Sequence, residues 1–132
     1  VVSVYLWTAE GLSDRNWSIP HAAGAIVQRR GGPFLIAGDF KMTPEEFGEA
    51  DLWLQQIGGR VLAPTAPICR SALGGRVVDF AVVDQRIAGA VAALWTDVAF
   101  PACPHSAVVL RFHCVASRVL VHQLCRPRPT QE

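Results

Sequence analysis

Three side chains stand where apolar segments end or break. Asp39 closes the run Pro33–Phe40, within Gly38-Asp39-Phe40. Asp79 interrupts the run Val77–Val83, and His105 sits in Cys103-Pro104-His105-Ser106, just ahead of another apolar run. A carboxylate inside an apolar strand is costly unless it is paired or hydrogen-bonded. Each acid therefore has a bland reading, a structural carboxylate satisfied by a backbone N–H, an Arg or a Ser. The other reading is that these residues carry chemistry. The chemical reading requires that residues far apart in the chain meet at the ends of neighbouring strands.

The elements that must bring them there are legible in outline. Val1–Trp7 is rich in β-branched and aromatic residues and is expected to be a strand. Thr8–Asn16 reads as a loop. Ser18 is expected to cap a helix from Ile19, with Pro20 in its first turn and Ala22, Ala23, Ile26 and Val27 on one face. Arg29 and Arg30 suit the helix end, and Gly31-Gly32 stops it. Pro33–Phe40 is a short apolar strand expected to be buried on both faces. Thr43 and Glu46 form a capping box, Pro44 takes the first helical position, and Met42 with Phe47 can staple the entry. That helix should break near Gly48 and resume over Asp51–Ile57. Arg60–Ala63 is a further strand, Ile68–Arg70 and Arg76–Val83 a hairpin around Gly74-Gly75, and Val91–Val98 and Ala107–His113 two last strands. The expected class is α/β, a mixed sheet with helices on one face.

Four segments, in this order, resemble the endonuclease/exonuclease/phosphatase superfamily, the DNase I-like fold. They are the Tyr-bearing strand Val2-Ser3-Val4-Tyr5-Leu6, the strand end in Phe34–Pro44 with its Pro-started helix, the strand Arg76–Val83 around Asp79, and Pro104-His105-Ser106-Ala107-Val108. The resemblance covers residues 1–112, leaving 113–132 as a tail. It implies half of a four-layer α/β sandwich, the C-terminal portion of such a domain, and hydrolysis of a phosphodiester or phosphomonoester with Mg²⁺. It further implies that Asp39 orients or deprotonates the attacking water and that Asp79 accepts a hydrogen bond from His105. His105 would contact the phosphate, and Tyr5 would donate to a phosphate oxygen.

The chain also departs from that pattern. Lys41 stands two places after Asp39, where the family has Asn; Lys can meet a phosphate as a point charge, cannot accept a hydrogen bond, and competes with a metal. Pro104 replaces the Asp before His105. The Asn and Glu metal ligands belong to an N-terminal half outside the match, so the metal-ligating residues stay unassigned. Glu10 and Asp14 match no ligand position and read as solvated loop charges. Weak or absent turnover is therefore expected of this chain. The alternatives are a catalytically dead interaction module or a retroelement-derived endonuclease remnant.

Composition bounds the rest. Among 132 residues, 51% are hydrophobic and 17% charged, which suits one packed domain and excludes a disordered chain. A net charge of +1 is too balanced to imply a polyanionic partner by itself. Expected partners are a phosphate ester, nucleic acids among them. Cys69, Cys103, Cys114 and Cys125 show no zinc spacing and are expected as thiols; His113 and His122 beside them make no standard site. Trp7, Trp17, Trp53 and Trp95 are expected in core or helix packing, His21 on a helix surface, and Arg126–Arg128 in a solvated tail. No membrane span, targeting segment or compartment is legible. Val1 opens inside a strand-like run, so a piece of a longer protein is expected. Val2, Val4, Leu6, Leu35, Ala37, Val78, Val82, Val108 and Leu110 alternate along strands, so some should face a missing second sheet and drive self-association or partner binding.

Overall fold

A computed structural model describes residues 1–65, 69–71, 74–99 and 106–113 of the chain. His105, Pro104, Ile68, three of the cysteines and residues 114–132 of the expected tail lie outside the described residues. The elements run β1 (Val2–Tyr5), α1 (Asp14–Arg30), β2 (Leu35–Asp39), α2 (Pro44–Phe47), a 3₁₀ turn (Gly48–Ala50) and α3 (Asp51–Ile57). They continue with β3 (Gly59–Leu62), β4 (Cys69–Ser71), β5 (Gly74–Arg76), β6 (Asp79–Asp84), α4 (Gln85–Ala88), β7 (Val91–Asp97) and β8 (Ala107–Phe112). The class is mixed α/β. A four-stranded sheet has the order β1-β2-β6-β3, parallel between β1 and β2 and antiparallel elsewhere. The parallel pair needs a crossover, and α1 supplies it.

Register and pleat assign the faces. Val4, Ile36, Phe80 and Val82 join one core cluster with Ala23 and Val27 of α1 and Trp53 and Leu54 of α3. Phe40 stacks on Phe80 at 4.0 Å between ring centroids and meets Phe47 edge-on at 5.0 Å. All three rings are buried, each contributing about 1.5–3 kcal/mol by removal from water. Helices thus cover one sheet face, as expected.

Several expectations need correction. Helix α1 begins at Asp14, inside the segment read as loop, and its cap is Ser13, whose hydroxyl accepts from the Asn16 N–H. Pro20 consequently lies inside the helix, in its second turn. The buried stripe of α1 is Asn16, Pro20, Ala23, Gly24 and Val27, whereas Ala22 and Ile26 are exposed. Asn16 explains the early start: its amide accepts from Trp7 N–H at 2.7 Å and donates to the Trp7 and Gly11 carbonyls at 3.0 and 2.7 Å. Gly74 and Gly75 are strand residues of β5 paired with β4, and Val77 and Val78 lie outside any strand. Burial on both faces belongs to β6, where residues 80–84 are all buried, and β2 is only half-buried on its far side. The capping box, the proline start and the break at Gly48 are found as expected.

Strands β7 and β8 form where the sequence places them. They pair with each other as a separate antiparallel ribbon and do not extend the sheet. This ribbon lies against the sheet face opposite the helices, where β8 and the β2 and β6 strands line one cleft. The far face is therefore partly covered by the chain itself. Of the residues expected to face a gap, Val4, Leu6 and Val82 are buried in the core cluster with the helices, Val78 is buried, and Val2, Leu35, Ala37, Val108 and Leu110 are half-buried.

Candidate functional site

The site begins with one glycine. A Cβ on Gly38 would overlap the Val4 carbonyl oxygen, so β1 can approach β2 this closely only because residue 38 has no side chain. That approach sets Tyr5 opposite Asp39, and the antiparallel register sets Asp39 opposite Asp79. Register partners share a face, with Cβ atoms roughly 5 Å apart across antiparallel neighbours. Tyr5, Asp39 and Asp79 therefore form a row across three adjacent strands, facing away from the helices. The ladder is extended past the row, because Leu6 N–H donates to the Asp39 carbonyl at 3.0 Å and Phe40 N–H to the Val78 carbonyl at 2.9 Å.

Lys41 completes the group. Its backbone turns into the left-handed region, φ 58°, which costs a non-glycine residue roughly 1–2 kcal/mol. The Asp39 carboxylate holds that turn: Oδ1 accepts from the Lys41 N–H at 3.0 Å, and Oδ2 pairs with Lys41 Nζ at 2.5 Å. The same ammonium lies 4.6 Å over the Tyr5 ring. Both members of the pair are largely buried, with side chains 16% and 11% exposed. The hydrogen bond that Lys41 donates to Asp39 raises the Lys41 pKa above its ordinary value; burial opposes this, and the Tyr5 phenol adds to it. Lys41 is thus a fixed cation at the site.

These four side chains line one wall of a cleft of about 450 Å³, and Ser106, Val108 and Leu110 line the opposite wall. Ser106 directly follows His105 in the sequence, and His105 itself lies outside the described residues. Of the five residues singled out in the sequence, Tyr5, Asp39, Lys41 and Asp79 are brought together. Glu10 accepts from the Ser13 hydroxyl and pairs with Arg15, and Asp14 opens α1; neither lines the cleft.

The described residues do not fit a magnesium ion. Mg²⁺ requires octahedral oxygen ligands. Among the described residues no group of three or more His, Cys, Asp or Glu is placed to hold a metal, and Asp39 already carries an ammonium.

Other candidates resolve structurally. Trp53 is buried in the core, and Trp17 packs against the edge of His21 at 5.2 Å. Trp7 and Trp95 are not core residues; each is substantially exposed with a guanidinium over its ring, Arg15 at 3.5 Å and Arg111 at 5.3 Å. The sequence reading missed Asp84. It is buried at the end of β6, caps α4 through the Arg86 N–H, and pairs with the Arg86 guanidinium at 2.6 Å. Its signal was an acid followed two residues later by Arg, which is too common to single out. No helix among the described residues is long and apolar enough to cross a membrane. No protein-family model matches the chain, and no curated protein matches it.

Proposed function

We propose that residues 1–112 are the C-terminal portion of an endonuclease/exonuclease/phosphatase-like domain, half of a DNase I-like sandwich. Its cleft binds a phosphate ester at the row Tyr5–Asp39–Asp79, with weak or absent hydrolysis. The observation that carries this reading is the register that aligns Tyr5, Asp39 and Asp79 on one sheet face beside a cleft. In this proposal the Lys41 ammonium and the Tyr5 phenol donate to phosphoryl oxygens. The resemblance assigns a further positive contact on the phosphoryl group to His105. Asp79 orients that imidazole.

Weak turnover follows from the state of Asp39. Both of its carboxylate oxygens already accept from Lys41, which leaves fewer lone pairs to take a proton from water. The magnesium implied by the resemblance would need ligands beyond these residues, and no step here runs through it. The Asp39–Lys41 pair equally favours the second reading, a module that binds without cleaving.

The test combines binding with turnover. Titration with a generic phosphodiester, followed by NMR, should give saturable shifts around residues 5, 39–41 and 79. His105→Ala and Lys41→Met should each weaken binding at least tenfold. A hydrolysis assay with magnesium on the same ester and on nicked plasmid should show little turnover. Absence of saturable binding, or binding indifferent to both substitutions, would refute the proposal. Turnover abolished by Asp39→Ala would reject the non-cleaving reading.

A further inference from the structure

We infer that the ester bound at the row Tyr5–Asp39–Asp79 is a nucleotide, and that its base stacks against Trp7 and the Arg15 guanidinium that lies on that ring. The inference rests on the proposed function and goes further, naming the group that the phosphate carries and the side chains that select it.

Trp7 follows Tyr5 by two positions, just past the end of β1. Leu6, between them, is wholly buried in the core, and its N–H still donates to the Asp39 carbonyl at 3.0 Å. The chain therefore leaves the sheet extended, with Tyr5 and Trp7 both turned away from the core. Their side chains are 64% and 48% exposed. Neighbouring apolar groups of this size, left open to solvent, mark a binding surface. Two residues of extended chain span roughly 7 Å, a gap that a sugar bridges between its phosphate and its base.

Helix α1 fixes this ring and charges it. The wholly buried Asn16 accepts from the Trp7 N–H at 2.7 Å and donates to the Trp7 carbonyl at 3.0 Å, which holds the backbone that carries the indole. Arg15, the preceding residue, brings its guanidinium to 3.5 Å from the centre of the indole ring. Arg15 also pairs with Glu10 at 3.4 Å, and its side chain stays more than half exposed. Tyr5 repeats the arrangement, with Lys41 Nζ 4.6 Å over its ring. Two exposed rings, each with a cation on its face, thus stand in succession where β1 ends. Unpaired bases stack on such aromatic rings and guanidinium planes, because every base offers a π-face and the cations meet the phosphates. A polyol or lipid phosphate brings the charge but no planar ring to lay on an indole.

The experiment titrates the full chain, followed by NMR, with two phosphodiesters: the dinucleotide of two thymidines, and diethyl phosphate, which carries no base. The dinucleotide should bind roughly tenfold or more tighter, the worth of one stacked base. It should also shift the indole N–H signal of Trp7, which diethyl phosphate should leave in place; this readout needs no variant. Trp7→Leu should remove most of the dinucleotide's advantage and leave diethyl phosphate binding unchanged, while Trp7→Phe, which keeps a ring, should retain much of it. Arg15→Ala should weaken the dinucleotide alone. Saturable binding of diethyl phosphate with no tighter binding of the dinucleotide would overturn this inference and leave the proposed function standing. A Trp7 indole signal that ignores the dinucleotide would overturn it too, as would a Trp7→Leu protein that loses both ligands equally. Failure of both esters to bind the wild-type chain would sink the inference together with the proposed function.

Discussion

At the scale of single residues, two acids of this chain are held by cations that follow them by two positions, and the consequences for pH run in opposite directions. Lys41 has a pKa raised above 10.5, chiefly by its hydrogen bond with Asp39. Its contribution to stability is complete below 10.5 and is lost as pH rises through the elevated folded value. Lys41→Met should flatten the alkaline limb of the melting-temperature profile. Asp84 is held below its ordinary 3.8, mainly by the Arg86 guanidinium and against the cost of burial. Its contribution is present above 3.8 and is lost as pH falls through the lowered folded value. Asp84→Ala should cost about 1–2 kcal/mol, the worth of a helix N-cap, because the exposed Arg86 adds little. Chemical denaturation at pH 7 and at pH 3 measures both; the cost should shrink at the lower pH. Among the site residues, the positions of the acids were legible from the breaks they make in apolar runs. The contact of Lys41 with Tyr5 was not, since it depends on a strand register that no local pattern encodes.

At the scale of elements, local chemistry was readable and distant chemistry was not. The capping box of α2 involves residues three apart, so its sequence signature was sufficient, and both of its hydrogen bonds are present. The start of α1 was misplaced because the residue that anchors it, Asn16, bonds to Trp7 and Gly11 behind it, so a polar cluster resembles a loop until its partners are known. Asn16→Ala strips partners from three backbone groups and should destabilise the protein by about 1–3 kcal/mol or more, against roughly 1 kcal/mol for Thr43→Ala. Equilibrium urea unfolding distinguishes the two. Gly38→Ala tests the element that carries the phenol. Its methyl group would meet the β1 backbone, so it should weaken the β1–β2 pairing and move Tyr5 away from Asp39, seen as loss of the Tyr5–Lys41 neighbour contacts by NMR.

At the scale of the whole molecule, the class, the mixed sheet and the one-sided helices were legible because each rests on periodicity and order. The separate β7–β8 ribbon was not, because the pairing partners of a strand are chosen by packing rather than by its own sequence. With this ribbon over the far face, fewer apolar side chains are left bare than the sequence implied. Self-association should therefore be weak. Sedimentation at increasing concentration should keep the monomer as the main species at micromolar protein.

The cleft lies between two units that share no backbone ladder among the described residues. One wall belongs to the four-stranded sheet and the other to the β7–β8 ribbon. The amides of this ribbon should exchange with solvent sooner than those of β2 and β6.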